Sequence, residues 1–161
     1  MNAIKFLVKE HERVRKTFAE IEDESRRYET KKKMFDTLCQ ELTVHEKMEQ
    51  TIWYPCFENE DELKLIVEHL LSEEKEAENT MKELDKITDQ DEWEKEFLKF
   101  KNAVDHHASE EEQKLFPKVG RFLSEDELDS LGKEMIEFKQ QAYDKEECSP
   151  KKRKKARKTE R

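Results

Sequence analysis

A chain of 161 residues, 45% of them charged and 34% hydrophobic, with a net charge of −9, suits one domain whose single core buries roughly 70% of the unfolded surface. Two glycines and three prolines among many Glu, Lys and Leu exclude a sheet built on tight turns, so the expected class is all-α. No run approaches the roughly 20 apolar residues of a membrane helix, the charged start "MNAIKFLVKEHERVRK" is no signal peptide, and Cys39, Cys56 and Cys148 lack CxxC spacing, which predicts reduced thiols in a soluble cytoplasmic protein.

The first predicted helix covers residues 3–28, where Ile4, Leu7, Val14, Phe18, Ile21 and Tyr28 recur at helical spacing and His11 fills the gap in their stripe. The second, 31–57, carries Phe35, Leu38, Leu42, His45, Glu49, Ile52 and Cys56. The third, 61–87, carries Leu63, Ile66, Leu70, Ala77, Leu84 and Ile87, with His69 and Glu73 on or near the stripe. The fourth, 91–116, carries Trp93, Phe97, Phe100, Val104, His107, Glu111 and Leu115. Asn59 with Glu62 and Asp89 with Glu92 have the spacing of N-cap and N3 partners, and Ser124 with Glu127 opens a shorter fifth helix near 125–143, faced by Leu128, Leu131, Met135 and Phe138. Short connections make successive helices antiparallel. The expected architecture is an up-down-up-down four-helix bundle over 1–120, an additional helix over 121–144, and a free basic tail over 145–161.

Residues 151–161, "KKRKKARKTER", hold eight Lys/Arg against Glu160, which leaves −16 on residues 1–150. Such a tail attracts phosphates, but it has no aromatics to stack on bases and is joined to an acidic body. It reads as a solvated tail rather than a specific nucleic-acid binder.

The second and fourth helices share a motif. "HEKMEQTIWYP", residues 45–55, and "HASEEEQKLFP", residues 107–117, each place a Glu one turn after a His and end on an aromatic and a Pro. Counted to the predicted turns, neighbouring members of the set His11, His45, His69 and His107 differ in height by 2 to 4 residues, an axial offset of roughly 3 to 6 Å. One His from each helix therefore reaches nearly one level on inward stripes, beside Glu49 and Glu111. Buried unpaired carboxylates cost several kcal/mol each, so positive charge belongs between them. Two divalent or trivalent ions satisfy that need, and mixed imidazole and carboxylate donors suit iron, manganese or zinc. His106 points about 100° away from His107 and reads as a surface residue.

These elements resemble the hemerythrin-like family, the HHE cation-binding domain, over residues 1–120: "KEHERVR" with His11, "HEKMEQTIWYP" with His45 and Glu49, "VEHLLSEE" with His69, and "HASEEEQKLFP" with His107 and Glu111. The resemblance implies a four-helix bundle around two non-haem iron ions, oxo- or hydroxo-bridged, with His11 and His45 on one iron, His69 and His107 on the other, and Glu49 and Glu111 bridging. The oxygen-carrying members have a second histidine where this chain has Glu73, and an aspartate five residues after the last ligand histidine where this chain has Glu111 at four. The chain is therefore similar to the broader microbial branch rather than to simple O2 carriers. Glu73 is the candidate for a further ligand or an outer acceptor, and Glu46 is an alternative.

The implied function is binding of, or reaction with, O2, peroxide or nitric oxide, with an electron donor as partner. The sequence shows no general acid or base beyond these side chains. A redox or oxygen sensor, or a protein handling iron or zinc without turnover, are the alternatives. Trp53, Tyr54, Phe57 and Phe116 are expected to close the bundle by packing, and the repeat of roughly 60 residues reads as a duplication around two metals.

Overall fold

The computed structural model describes residues 1–147, which are helical with no strand among them. Helix α1 spans Ala3–Glu22, α2 Tyr28–Met48, α3 Asp61–Lys86, α4 Gln90–Glu110, α5 Phe116–Val119 and α6 Glu125–Glu147. The first four long helices make the bundle, and α6 packs along α1 and α2. None of the described helices is long and apolar enough to cross a membrane.

Local chemistry explains the helix ends. Asn2 caps α1 by accepting from the Lys5 amide at 2.8 Å, Asp89 caps α4 by accepting from the Glu92 amide at 3.0 Å, and Ser124 and Glu127 cap α6 reciprocally. Helix α1 stops at Glu22 rather than at 28. The Asp23 carboxylate accepts from the amide and the hydroxyl of Ser25, and Arg26 donates to the Glu20 carbonyl at 2.7 Å, so local hydrogen bonds replace the next helical turn. Tyr28 consequently opens α2. Asn59 caps nothing: α3 starts at Asp61 behind Glu60, without a side-chain cap. Helix α6 runs past the predicted end at 143, so residues 145–147 of the expected tail are helical; the rest of the tail and Cys148 lie outside the described residues. Cys39 and Cys56 are half-buried.

Each twin motif continues beyond its α-helix as a wide π-helical turn, Glu49–Trp53 after α2 and Glu111–Leu115 after α4. The extra residue per turn shifts the helix phase, so that Trp53 with Tyr54, and Leu115 with Phe116, are all buried. Pro55 and Pro117 follow at once and prevent the helices from continuing unchanged.

The core is divided. One apolar cluster gathers Leu7, Met48, Trp53, Phe57, Leu63 and Leu70 with Met135 of α6; the other gathers Phe18, Ile21, Phe35, Leu38, Trp93 and Phe100. Between them along each helix lie buried polar side chains: His11, His45 and Glu49, Glu74, and Glu111. Gly132 lets α6 touch the start of α1, since a Cβ there would stand 2.2 Å from the Met1 carbonyl oxygen.

Candidate metal centre

The polar layer is built one helical turn at a time. The His-x3-Glu spacing puts His45 and Glu49 on one face at the end of α2, and His107 and Glu111 on one face at the end of α4. Helix α1 adds His11 and α3 adds Glu74. The donor atoms fall into two groups, each within 4.8 Å: His11, His45, Glu49 and Glu111 in one, and Glu49, Glu74 and His107 in the other. Glu49 belongs to both. Within the groups, His11 Nε2 lies 3.1 Å from Glu111 Oε1, His45 Nε2 3.1 Å from Glu49 Oε1, and His107 Nε2 3.3 Å from Glu74 Oε2. Donors around one ion with bonds of about 2.1 Å stand roughly 3.0 to 3.4 Å apart.

Outside this layer, the Nδ1 edge of each imidazole faces its own carboxylate: Glu112 at 2.7 Å for His11, Glu10 at 3.4 Å for His45, and Glu73 at 3.0 Å for His107. An acceptor at Nδ1 keeps the proton there and leaves the Nε2 lone pair facing inward. These carboxylates are fixed in turn. Arg15 donates to Glu112 and to Asp105, and Lys139 of α6 ion-pairs with Glu10. Gln50 donates to Glu74 at 3.0 Å, while the buried Tyr54 hydroxyl donates to Glu111 Oε2 at 2.7 Å and lies 3.3 Å from Glu74.

Proton affinities record the crowding of negative charge. Burial and the charges of Glu111 and Glu74 push Glu49 well above the ordinary carboxylate range. Glu111 goes the other way: burial opposes its charge, but Glu49, His11 and His107 hold it below the usual value, so Glu49 keeps a proton while Glu111 stays charged. Burial disfavours a charged His107, yet Glu73, Glu74 and Glu111 push it up to about 10. His11 is likewise raised against its burial by Glu111 and Glu112. Burial, with the charge of Glu74, lifts Glu46 to about 8.

Even so, the layer is not satisfied by its own contacts. His11 Nε2, His107 Nε2, both oxygens of Glu49 and Glu111 Oε1 are buried and have no hydrogen-bond partner. These orphaned atoms all belong to the two donor groups, and three carboxylates with three imidazoles fit a pair of hard or borderline cations.

The structure brings together His11, His45, Glu49, His107 and Glu111, and it leaves His69 out. His69 is 56% exposed and lies against Glu110 on the outer face. The phase of α3 is the reason: its buried stripe is Leu63, Val67, Leu70 and Glu74, and His69 is turned about 100° from Leu70. Glu74 takes the inward position instead. Glu73 stands behind His107 as an outer acceptor, and Glu46 is half-buried beside the layer without joining either donor group. Where the resemblance implied two bridging carboxylates, Glu49 alone is common to both groups, and the second oxygen of Glu111 is taken by Tyr54. Glu74, Glu10, Glu112 and the polar role of Tyr54 were missed. Continuing the 3-4 repeat of Leu63, Val67 and Leu70 by one step would have found Glu74.

A cavity of about 600 Å³ opens on this layer from between the bundle helices. Its walls include Val14, Phe18, Leu42, Phe100 and Val104, and the side chains of His45, Glu74 and His107 reach it. An apolar approach of this kind gives small ligands access to buried polar groups.

The description of the hemerythrin HHE cation binding domain matches residues 2–119 of the chain. In three dimensions the chain is similar to the crystal structure of a hemerythrin HHE cation binding domain-containing protein from Mycobacterium kansasii. The TM-score is 0.77 at 25% identity, with 88% of this chain and 87% of that chain covered. Comparison with curated proteins gives no match.

Proposed function

Because the chain belongs to the hemerythrin HHE cation-binding family, we propose that it is a non-haem di-iron protein that binds or reacts with O2, peroxide or nitric oxide. The observation that carries this reading is the set of orphaned buried donors in two groups sharing Glu49. His11, His45, Glu49 and Glu111 would hold one ion, and Glu49, Glu74 and His107 the other. When bound, two ferrous ions supply two electrons at one place, the number needed to take O2 to peroxide.

The residues around the centre support such use. Glu112, Glu10 and Glu73 orient the imidazoles through Nδ1, and their removal is the kind of change that costs 10 to 100-fold in affinity. Tyr54 holds a proton on its hydroxyl, since burial and then the charges of Glu111, Glu49 and Glu74 raise its pKa well above the ordinary value. The second donor group has one imidazole fewer than the first, which favours it as the side where a small ligand enters from the cavity.

Elemental analysis of protein purified without added metal, with ultraviolet-visible spectra before and after dithionite and then air, tests the proposal. About two irons per chain, with near-ultraviolet absorption that bleaches and returns, is the expected result. Zinc alone, or a folded protein without metal, would sink the redox reading and leave metal handling.

A second reading, a redox or oxygen sensor, draws on the Lys139–Glu10–His45 connection, which ties α6 to a donor of the first group. Hydrogen exchange tests it: protection of residues 125–147 is expected to rise on metal loading. Equal exchange with and without metal would remove this reading.

A further inference from the structure

The geometry points to a third metal site, on the outer face of α3 and α4, that binds a single divalent transition-metal ion such as Zn2+ through His69, His106, Glu73 and Glu110. Two pairs at i and i+4 face each other there: His69 with Glu73 on α3, and His106 with Glu110 on α4. His69 Nε2 lies 3.0 Å from Glu110 Oε2 and 3.5 Å from Glu73 Oε2. His106 Nε2 lies 3.2 Å from Glu110 Oε1 and 3.9 Å from Glu73 Oε2. Both imidazoles thus turn the same nitrogen to the same two carboxylates, one from each helix.

Donors at the corners of a tetrahedron around zinc, with bonds of about 2.0 to 2.2 Å, stand roughly 3.4 Å apart. The His69 separations of 3.0 Å to Glu110 Oε2 and 3.5 Å to Glu73 Oε2 match that value. His106, 3.9 Å from Glu73 Oε2 and facing the other oxygen of Glu110, would complete the set by a turn of its 65% exposed side chain. The donor atoms of His69, Glu73 and Glu110 come within 4.8 Å of one another. The donor chemistry also fits: two neutral imidazoles and two carboxylates compensate a divalent ion and suit a borderline metal better than Ca2+ or Mg2+. Lys114, 3.2 Å from Glu110 Oε1, is the competing cation; it is 60% exposed and free to swing into solvent.

This site is separate from the buried centre yet next to it. Glu73 spends Oε1 on Nδ1 of His107 and turns Oε2 to the surface pair, so a single carboxylate stands between an ion on the outer face and a donor of the inner layer. The inference also explains why His69 and His106, which the buried centre does not use, converge across two helices.

Calorimetric titration of the full chain with Zn2+, with Co2+ as a spectroscopic probe, tests it. Wild type is expected to bind one ion more than the His69→Ala/His106→Ala double variant, and only wild type should show the intense visible bands of tetrahedral Co2+ from that last equivalent. Glu110→Gln, which keeps the volume of a side chain only 12% exposed, should lose the same equivalent with unchanged circular dichroism, and the exposed His69 and His106 can be truncated without touching the core. His45→Ala, which disables the inner layer, should keep it, so that failure of the buried centre and failure of the outer site give different losses. Equal stoichiometry and affinity in wild type and the double variant would overturn the inference. So would loss of every equivalent in the double variant, since His69 would then belong to the inner centre.

Discussion

Glu49→Gln is expected to reduce bound metal from about two equivalents to less than one, while leaving the metal-free protein as stable as wild type or more so. Glu49 is fully buried, is common to both donor groups, and has neither oxygen hydrogen-bonded. An amide keeps the volume but loses the charge and one acceptor, so it cannot serve two cations at once. Affinity should fall by more than the 10 to 100-fold typical of outer partners, the loss expected for Glu112→Gln. Stability without metal moves the other way. In that state burial and the charges of Glu111 and Glu74 force Glu49 to take up a proton that it would not hold in the unfolded chain, and an amide, already neutral, is spared that cost. Elemental analysis and thermal melts with and without metal read both halves of the prediction. Two tightly held ions in Glu49→Gln would show that Glu49 does not join the groups.

The second large effect is opposite pH dependence of the two forms. Folded, His107 holds its proton to about pH 10, against an ordinary 6.5, so its contribution to metal-free stability is complete below 6.5 and is lost as pH rises through 10. Glu46, raised to about 8, and Glu49, raised well above 4.5, act in the same direction over their own ranges. Glu10, held near 2 by His45 and Lys139 despite burial, and Glu111, also lowered, act oppositely: their contribution is present above 4.5 and is lost as pH falls through the folded values. Metal-free protein should therefore be most stable in mild acid and weaken toward alkali. Metal binding displaces protons, so affinity should climb with pH, by about tenfold per unit for each proton released. The gap in Tm between loaded and metal-free protein should widen steadily from roughly pH 6 to 9. A metal-free Tm that ignores pH over that range would mean that the imidazole–carboxylate contacts are not made in solution.

What the sequence could tell depended on how each feature is encoded. Long helices with apolar residues every three or four positions were legible because one face of each must be buried, and Phe35, Leu38 and Leu42 or Phe97 and Phe100 leave no other phase. The twin motifs were legible because a His and a Glu one turn apart share a face whatever follows. His69 was read inward because α3 has apolar residues on two adjacent tracks, Ile66 and Val67; burial of Val67, which fixes Glu74 as the inward acid, is a matter of packing against other helices. The turn at Asp23 depends on side-chain hydrogen bonds that compete with a helical stripe, and a stripe gives no warning of them. The π turns were invisible for a related reason: an inserted residue changes the phase only after the motif, where apolar residues on every side fit either winding. Glu10 and Glu112 are ordinary acids in an acid-rich chain, and only the fold puts them behind His45 and His11.

The layer of charged and polar groups between the two apolar clusters also bears on how the chain assembles. Apolar contacts make a bundle fold as one unit when they run unbroken from end to end; here they are interrupted midway, and without metal the interruption is spanned only by imidazole–carboxylate contacts whose strength varies with pH. Each half must gather on its own: one around Trp93, Phe97 and Phe35, the other around Trp53, Phe57 and Met135 with α6 laid across it. Ions at the divide would act as rivets, joining two separately cooperative halves into one. Metal would then set the size of the unit that folds as well as its stability.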